Sequence, residues 1–189
     1  RLTLVPGERY IAVANGVLNT ANFASNPNGK NRAFTLFLKS GMKEAGSGGT
    51  VEFVVVHGAT DAPAVDVVAR GVGTIVNNAF YGDITGYLAV NPASYILDVK
   101  DSSGATTVAT YTANLSGLAN GSAVVFASGF LTPPANQNGP AFGLLAALAN
   151  GTVVAFPAGA TSVQAFGDGL PTVYDLGQNY PNPFNPSTV

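Results

Sequence analysis

Val51-Glu52-Phe53-Val54-Val55-Val56-His57 runs through Gly58-Ala59-Thr60-Asp61-Ala62-Pro63-Ala64 into Val65-Asp66-Val67. The first seven residues are β-branched or aromatic at nearly every position, the composition of a strand. A half-exposed strand alternates apolar and polar residues, but this run is almost continuously apolar. It therefore reads as a central strand buried on both faces. Gly, Asp and Pro in the next seven residues turn the chain, and Ala64–Ala69 starts a second strand.

The same grammar extends in both directions. Short β-rich runs at Arg9–Ala14, Ala33–Lys39, Gly73–Val76, Ser94–Lys100, Thr106–Ala113 and Ala123–Ala127 are separated by Gly, Pro, Asn and Asp, and no long segment has helical period. Phe142–Ala149 and Thr152–Phe156 flank Asn150-Gly151, the preferred sequence of a two-residue type I′ hairpin. That hairpin competes with a spanning helix over Ala141–Ala160, which Asn150-Gly151 and Pro157 would interrupt, so no membrane span is expected. A single helical turn over Leu144–Leu148 is the other local alternative. Many short strands at this spacing predict an all-β chain folded as an antiparallel immunoglobulin-like β-sandwich.

Gly7–Leu18 reads against Gly121–Leu131, and each copy then enters an Asn/Pro/Gly loop, Asn26–Gly29 in the first and Asn136–Pro140 in the second. After the loop, Ala33–Leu38 matches Ala141–Ala146. Residues 1–49 are thus expected to be the second half of a repeat plus a linker, 50–159 a complete repeat, and 160–189 an extended tail. Ala45–Gly49 is the linker, flexible by composition.

Charged residues make up only 10% of the 189, against about 25% in a typical soluble domain. Residues 1–49 carry a net +4 and the rest a net −6, and the 66 residues between Asp101 and Asp168 hold no charge. Eight Lys and Arg give no electrostatic footprint for nucleic acid. With no cysteine and one histidine there is neither a disulfide framework nor an intrachain multi-histidine zinc site. Arg1 opens the chain without a leader, which fits a processed chain or a fragment.

Two stretches resemble known families. Val55–Val67, continued by Asn78-Ala79-Phe80-Tyr81-Gly82, Gly86-Tyr87-Leu88 and Tyr95–Val99, resembles the bacterial domain-of-unknown-function family numbered 4397. That resemblance implies a secreted β-sandwich, often in tandem, with residues 1–49 as the end of a preceding copy. It supplies no catalytic residues. Leu176-Gly177-Gln178-Asn179-Tyr180-Pro181-Asn182-Pro183-Phe184-Asn185-Pro186-Ser187-Thr188 resembles the start of a C-terminal sorting domain of type IX secretion, which implies an extracellular or cell-surface address.

Candidate chemistry is sparse. His57 with Asp61 and Asp66 is the nearest approach to an acid–base cluster; the competing reading has Asp61 capping its turn and His57 bonded locally. Asp98 and Asp101 with Ser102 and Ser103 offer oxygens to calcium, but Asp101–Gly104 also reads as a hairpin turn. Gly167-Asp168-Gly169 is a turn by the same logic. Phe80, Tyr81 and Tyr87 could stack on sugar or simply pack a core. Asn114-Leu115-Ser116, Asn120-Gly121-Ser122 and Asn150-Gly151-Thr152 fit the N-glycosylation pattern but read as turns. No residue is therefore assigned as catalytic, cofactor-binding or metal-ligating. The expected function is a non-enzymatic structural subunit of a surface layer or filament, self-associating head to tail and by strand complementation. The alternative is a cell-surface adhesive or glycan-binding module.

Overall fold

The computed structural model describes residues 4–159, whose strands are β1 (Tyr10–Asn15), β2 (Thr35–Ser40), β3 (Val51–His57), β4 (Val65–Ala69), β5 (Gly73–Ala79), β6 (Leu88–Val90), β7 (Ser94–Asp101), β8 (Thr107–Asn114), β9 (Ser122–Ser128), β10 (Gly143–Leu148) and β11 (Val153–Ala155). Two 3-10 turns, Thr20–Asn22 and Pro133–Ala135, are the only helical elements among the described residues. The chain is all-β, as its punctuation predicts. Leu144–Leu148 is strand rather than a helical turn, and β6 is a strand the sequence reading lacks.

The strands form three sheets, ordered β1-β2, β11-β10-β9-β3-β6 and β5-β4-β7-β8. One core lies between the larger two. Val51, Phe53 and Val55 of β3, with Val125 of β9 and Leu144 of β10, meet Val67 of β4, Val99 of β7 and Tyr111 of β8 across it. The expectation of purely antiparallel pairing is corrected at one place. β3 and β9 run parallel, Glu52 opposite Ser122 through His57 opposite Ala127. Parallel neighbours need a long crossover, and here β4 through β8 provide it. A strand with both faces covered is the normal site for such pairing.

The second cover of β3 is the β1–β2 hairpin. Val54 and Val56, with Val124 of β9, pack under Ile11, Val13 and Met42. This explains why the opening run is apolar without alternation: its odd-numbered valines and Phe53 face one layer, and Val54 and Val56 face the other. Glu52, buried in the same run, is neutralised by Lys43 and accepts hydrogen bonds from Ser47 N and Oγ at 3.0 and 2.8 Å.

Two local details differ from the sequence reading. The β10–β11 hairpin forms, but Leu148 N donates to Thr152 O at 2.9 Å and Gly151 N to Leu148 O at 2.9 Å. Gly151 has a positive φ of 84° while Asn150 does not, so the turn is not type I′. Asn150 instead accepts Thr152 N on Oδ1 at 2.9 Å, leaving the left-handed position to glycine. The glycine-rich Ala45–Gly49 segment is also pinned. Gly46 N donates to Asn120 O and Gly49 N to Asn120 Oδ1, both at 2.8 Å, and a Cβ on Gly46 would sit 2.6 Å from Gly121 O.

Candidate functional site: the His57–Ala64 turn and the β1–β2 hairpin

The turn after β3 is braced from two sides by side-chain hydrogen bonds. Asp61 is buried, and its carboxylate accepts Leu131 N at 2.9 Å, Thr132 N at 2.8 Å and Asn136 Nδ2 at 2.8 Å. From the other side, Asn26 Nδ2 donates to Thr60 O and Ala62 O at 2.9 and 3.0 Å, and Asn28 Oδ1 accepts Ala64 N at 2.7 Å. The two loops doing this also touch each other. Phe23 stacks on Phe130 at 5.6 Å, and Asn136 Oδ1 accepts Ala24 N at 3.0 Å. A buried carboxylate with three donors is a stable anchor, because its desolvation is offset by charge-assisted hydrogen bonds.

His57 is only 2% exposed, and its Nε2 donates to Pro63 O at 3.0 Å. That bond fixes the proton on Nε2 in the neutral ring, and Nδ1 has no partner among the described residues. Burial pushes the imidazole pKa below its ordinary value. No hydrogen bond joins His57 to Asp61 or Asp66 among the described residues. Asp66 Oδ1 accepts Asn78 N at 2.6 Å instead. Each of the three thus has a separate partner, and Asp61 anchors the distant 131–136 loop rather than capping its own turn.

The remaining candidates are also occupied. Arg70 forks onto both oxygens of Asp98 at 2.8 and 2.9 Å, and Thr110 Oγ1 adds a third bond at 2.9 Å. The guanidinium holds the Asp98 carboxyl below the usual range. Asp101 closes its own turn, accepting Ser103 Oγ at 2.6 Å, and Ser103 Oγ lowers its pKa. No cluster of three potential metal ligands occurs among the described residues, and Asp168 lies outside them. Phe80 lies under Lys30 Nζ at 4.5 Å and Tyr87 under Lys43 Nζ at 4.8 Å, while Tyr81 meets Phe37 edge-on at 5.8 Å. All three aromatics hold the N-terminal hairpin in place. Asn114 accepts Ser116 Oγ at 2.7 Å, and Asn120 takes a positive φ of 57°, as turn residues do.

The internal repeat is visible as geometry. Gly16 and Gly129 both have positive φ, 95° and 84°, and each lies against the carbonyl of the alanine that opens the following segment, Ala33 or Ala141, where a Cβ would collide. Val17 N donates to Arg32 O and Phe34 N to Val17 O, at 2.9 and 3.0 Å. Phe130 N donates to Pro140 O and Phe142 N to Phe130 O, both at 2.8 Å. Registered from these glycines, Ala14:Leu36 corresponds to Ala127:Leu144 and Ala12:Leu38 to Val125:Ala146. An alignment started at Gly7 and Gly121 is one residue out, and one residue exchanges the two faces of a strand. The corrected register means that the outward face of β1–β2 matches the core-facing side of β9–β10. Leu36 is 61% exposed, and its counterpart Leu144 is 4% exposed. Phe34, Leu18 and Leu38 are exposed on the hairpin as well.

A family model described as a domain of unknown function, DUF4397, matches residues 51–164, more than half of the chain. The protein belongs to the DUF4397 family. No curated protein and no solved structure matches it. The DUF4397 match begins at β3, so β1 and β2 lie outside it, yet Asn26 and Asn28 between them hold the turn that opens the DUF4397 pattern. Sequence reasoning placed Asn26 and Asn136 only as loop composition. The signal available was their shared place, after equivalent strands, in the two copies of the repeat.

Proposed function

We propose that the chain is a non-enzymatic structural subunit of an extracellular surface layer or filament, assembled by head-to-tail contact and strand complementation. The observation that carries this reading is the outward face of β1–β2. It is an apolar face of the kind that, in β9–β10, a whole four-stranded sheet covers. Contiguous exposed apolar surface marks an interaction site, and among the described residues no further strand pairs with the outer edges of β1 and β2, which leaves backbone groups there open to a partner.

On this reading residues 1–49 are the second half of a preceding tandem copy of an immunoglobulin-like unit. The Leu176–Thr188 stretch directs export through type IX secretion. The donor strand is a neighbour's Thr161–Phe166 or Pro171–Leu176, both outside the described residues. The repeat also sets its direction. The free edge of β1 corresponds to the β9 edge that β3 occupies, so a donor there runs parallel; the free edge of β2 corresponds to the β10 edge held by β11, so a donor there runs antiparallel. The +4 head and −6 remainder favour unlike ends meeting, and a head-to-tail contact that does not close gives a filament.

Negative-stain electron microscopy of the purified full chain tests the proposal. Regular polymers or sheets are expected. Isolated particles of single-chain size at every concentration would overturn it.

A further inference from the structure

We infer that the space between the two large sheets of the DUF4397 domain is a binding site for one uncharged small molecule with a hydrocarbon body. Sheets packed face to face lie about 10 Å apart, and large interdigitating side chains normally fill the gap. Here Ala69, Ala79, Ala113, Ala123, Ala127 and Ala146 line it. They come from five strands on both sheets, so the deficit of side-chain volume is distributed along the whole interior. The result is a cavity of about 400 Å³. An apolar void of about 150 Å³ already stays dry and takes up benzene, and small-molecule sites run from about 300 to 1,000 Å³. Core space of this size is more than imperfect packing leaves.

The lining defines the ligand class. Among the described residues no charged side chain lines the cavity, and these residues offer nothing to offset the desolvation of an ion placed there. The braced His57–Ala64 turn closes one end, where His57 is the lining residue. The other end is lined by Asn114 at the end of β8 and by Ser116 and Gly117 of the following turn, all exposed to solvent. A ligand with one neutral polar end, a hydroxyl or an ester, would leave that end beside Asn114 and Ser116 and bury its chain among the valines and alanines. This site lies on the opposite side of β3 and β9 from the β1–β2 hairpin and does not depend on the assembly proposed above.

The test uses the full chain and the fluorescent hydrophobe 1-N-phenylnaphthylamine, with dodecan-1-ol as competitor. Ala127→Leu and Ala146→Leu fill the space from two strands, and Leu36→Lys with Leu38→Lys removes the exposed apolar face as an alternative dye site. Expected are saturable binding of one dye per chain, displacement by dodecan-1-ol, at least tenfold weaker binding in each filled variant with an unchanged or higher Tm, and unchanged binding in the Leu36/Leu38 variant. Three results would each overturn the inference: no saturable binding, undiminished binding in the filled variants, or a Tm lowered by several degrees when either alanine becomes leucine. The last would mean that the space is already occupied. Loss of dye binding in the Leu36/Leu38 variant alone would also overturn it, by assigning the dye to the hairpin.

Discussion

Leu36 and Leu144 sit at the same register position of two hairpins with the same strand pairing, the same left-handed glycine and the same returning loop, yet one is in solvent and the other in the core. Local sequence has done the same work in both places. The difference lies in what packs on top. β9–β10 is covered by β5-β4-β7-β8 on one side and by β1–β2 on the other, whereas, among the described residues, β1–β2 is covered only on the side facing β3 and β9. Hairpin geometry is thus a short-range property, and burial depends on the next layer.

Substitutions at matched positions should act unequally on the two hairpins. The largest effect is expected for a charge on the covered face. Val125→Asp places an unpaired carboxylate in the core and should remove about 5 kcal/mol or more, enough to unfold the chain. Its counterpart Ala12→Asp should shift the stability of the isolated chain by less than about 0.5 kcal/mol. Urea unfolding of the two variants reads the difference, and equal losses would mean that the outward face is not solvent-exposed.

The leucine pair comes next. Leu144→Ala should cost about 3 kcal/mol through lost burial and a residual cavity, while Leu36→Ala costs about 0.5 kcal/mol or less under dilute conditions. Chemical denaturation measures both. Asp61→Asn ranks close behind, at about 2 kcal/mol. It keeps the shape but weakens the charge-assisted bonds from Leu131, Thr132 and Asn136. Asn136 bonds Asp61 through Nδ2 and Ala24 N through Oδ1, so hydrogen exchange should speed up in the 130–140 loop and in the 20–28 loop together. A change confined to one loop would show that the two are not coupled through this turn.

The smallest effect concerns acid. The Lys43 ammonium beside Glu52, helped by Ser47, holds the Glu52 carboxyl below its ordinary value of 4.5. A depressed folded-state pKa stabilises the fold above the unfolded value, and that contribution is lost as pH falls from about 4.5 through the folded pKa. Amide exchange near Lys43 and Ser47 should therefore accelerate below about pH 4.5 in the wild type. Glu52→Gln should show faster exchange already at pH 6 and a flatter acid response. Identical profiles would remove Glu52 as the tie between the hairpin and β3.

Much of this fold could be read from residue type and order. The β3 run announced burial on both faces, and punctuation placed most strands within a few residues. The repeat was legible, but its register was not: it is set at Gly16 and Gly129, where only glycine fits the left-handed turn against a backbone carbonyl. Parallel β3–β9 pairing was not legible, since it depends on where β4 to β8 return the chain and not on the composition of either strand. β6 is three residues long and too short for a periodic signal. The candidate residues behaved in a similar way. Asp61 and His57 were read as a candidate acid–base pair and Asp98 as a candidate calcium ligand, but the partners that occupy them lie 6 to 75 residues away along the chain. Asn136, fully buried, was hidden inside loop composition for the same reason.

On the proposed function the outward face of β1–β2 is a core-type face that a second copy covers. Sedimentation velocity over a wide concentration range, on the wild-type chain and on Leu36→Lys with Leu38→Lys, tests it most directly. Concentration-dependent growth of the wild type into large species is expected, and a folded monomer for the variant, with the same Tm in both at low concentration. A wild type that sediments as a monomer throughout, or a variant that assembles equally well, would contradict it.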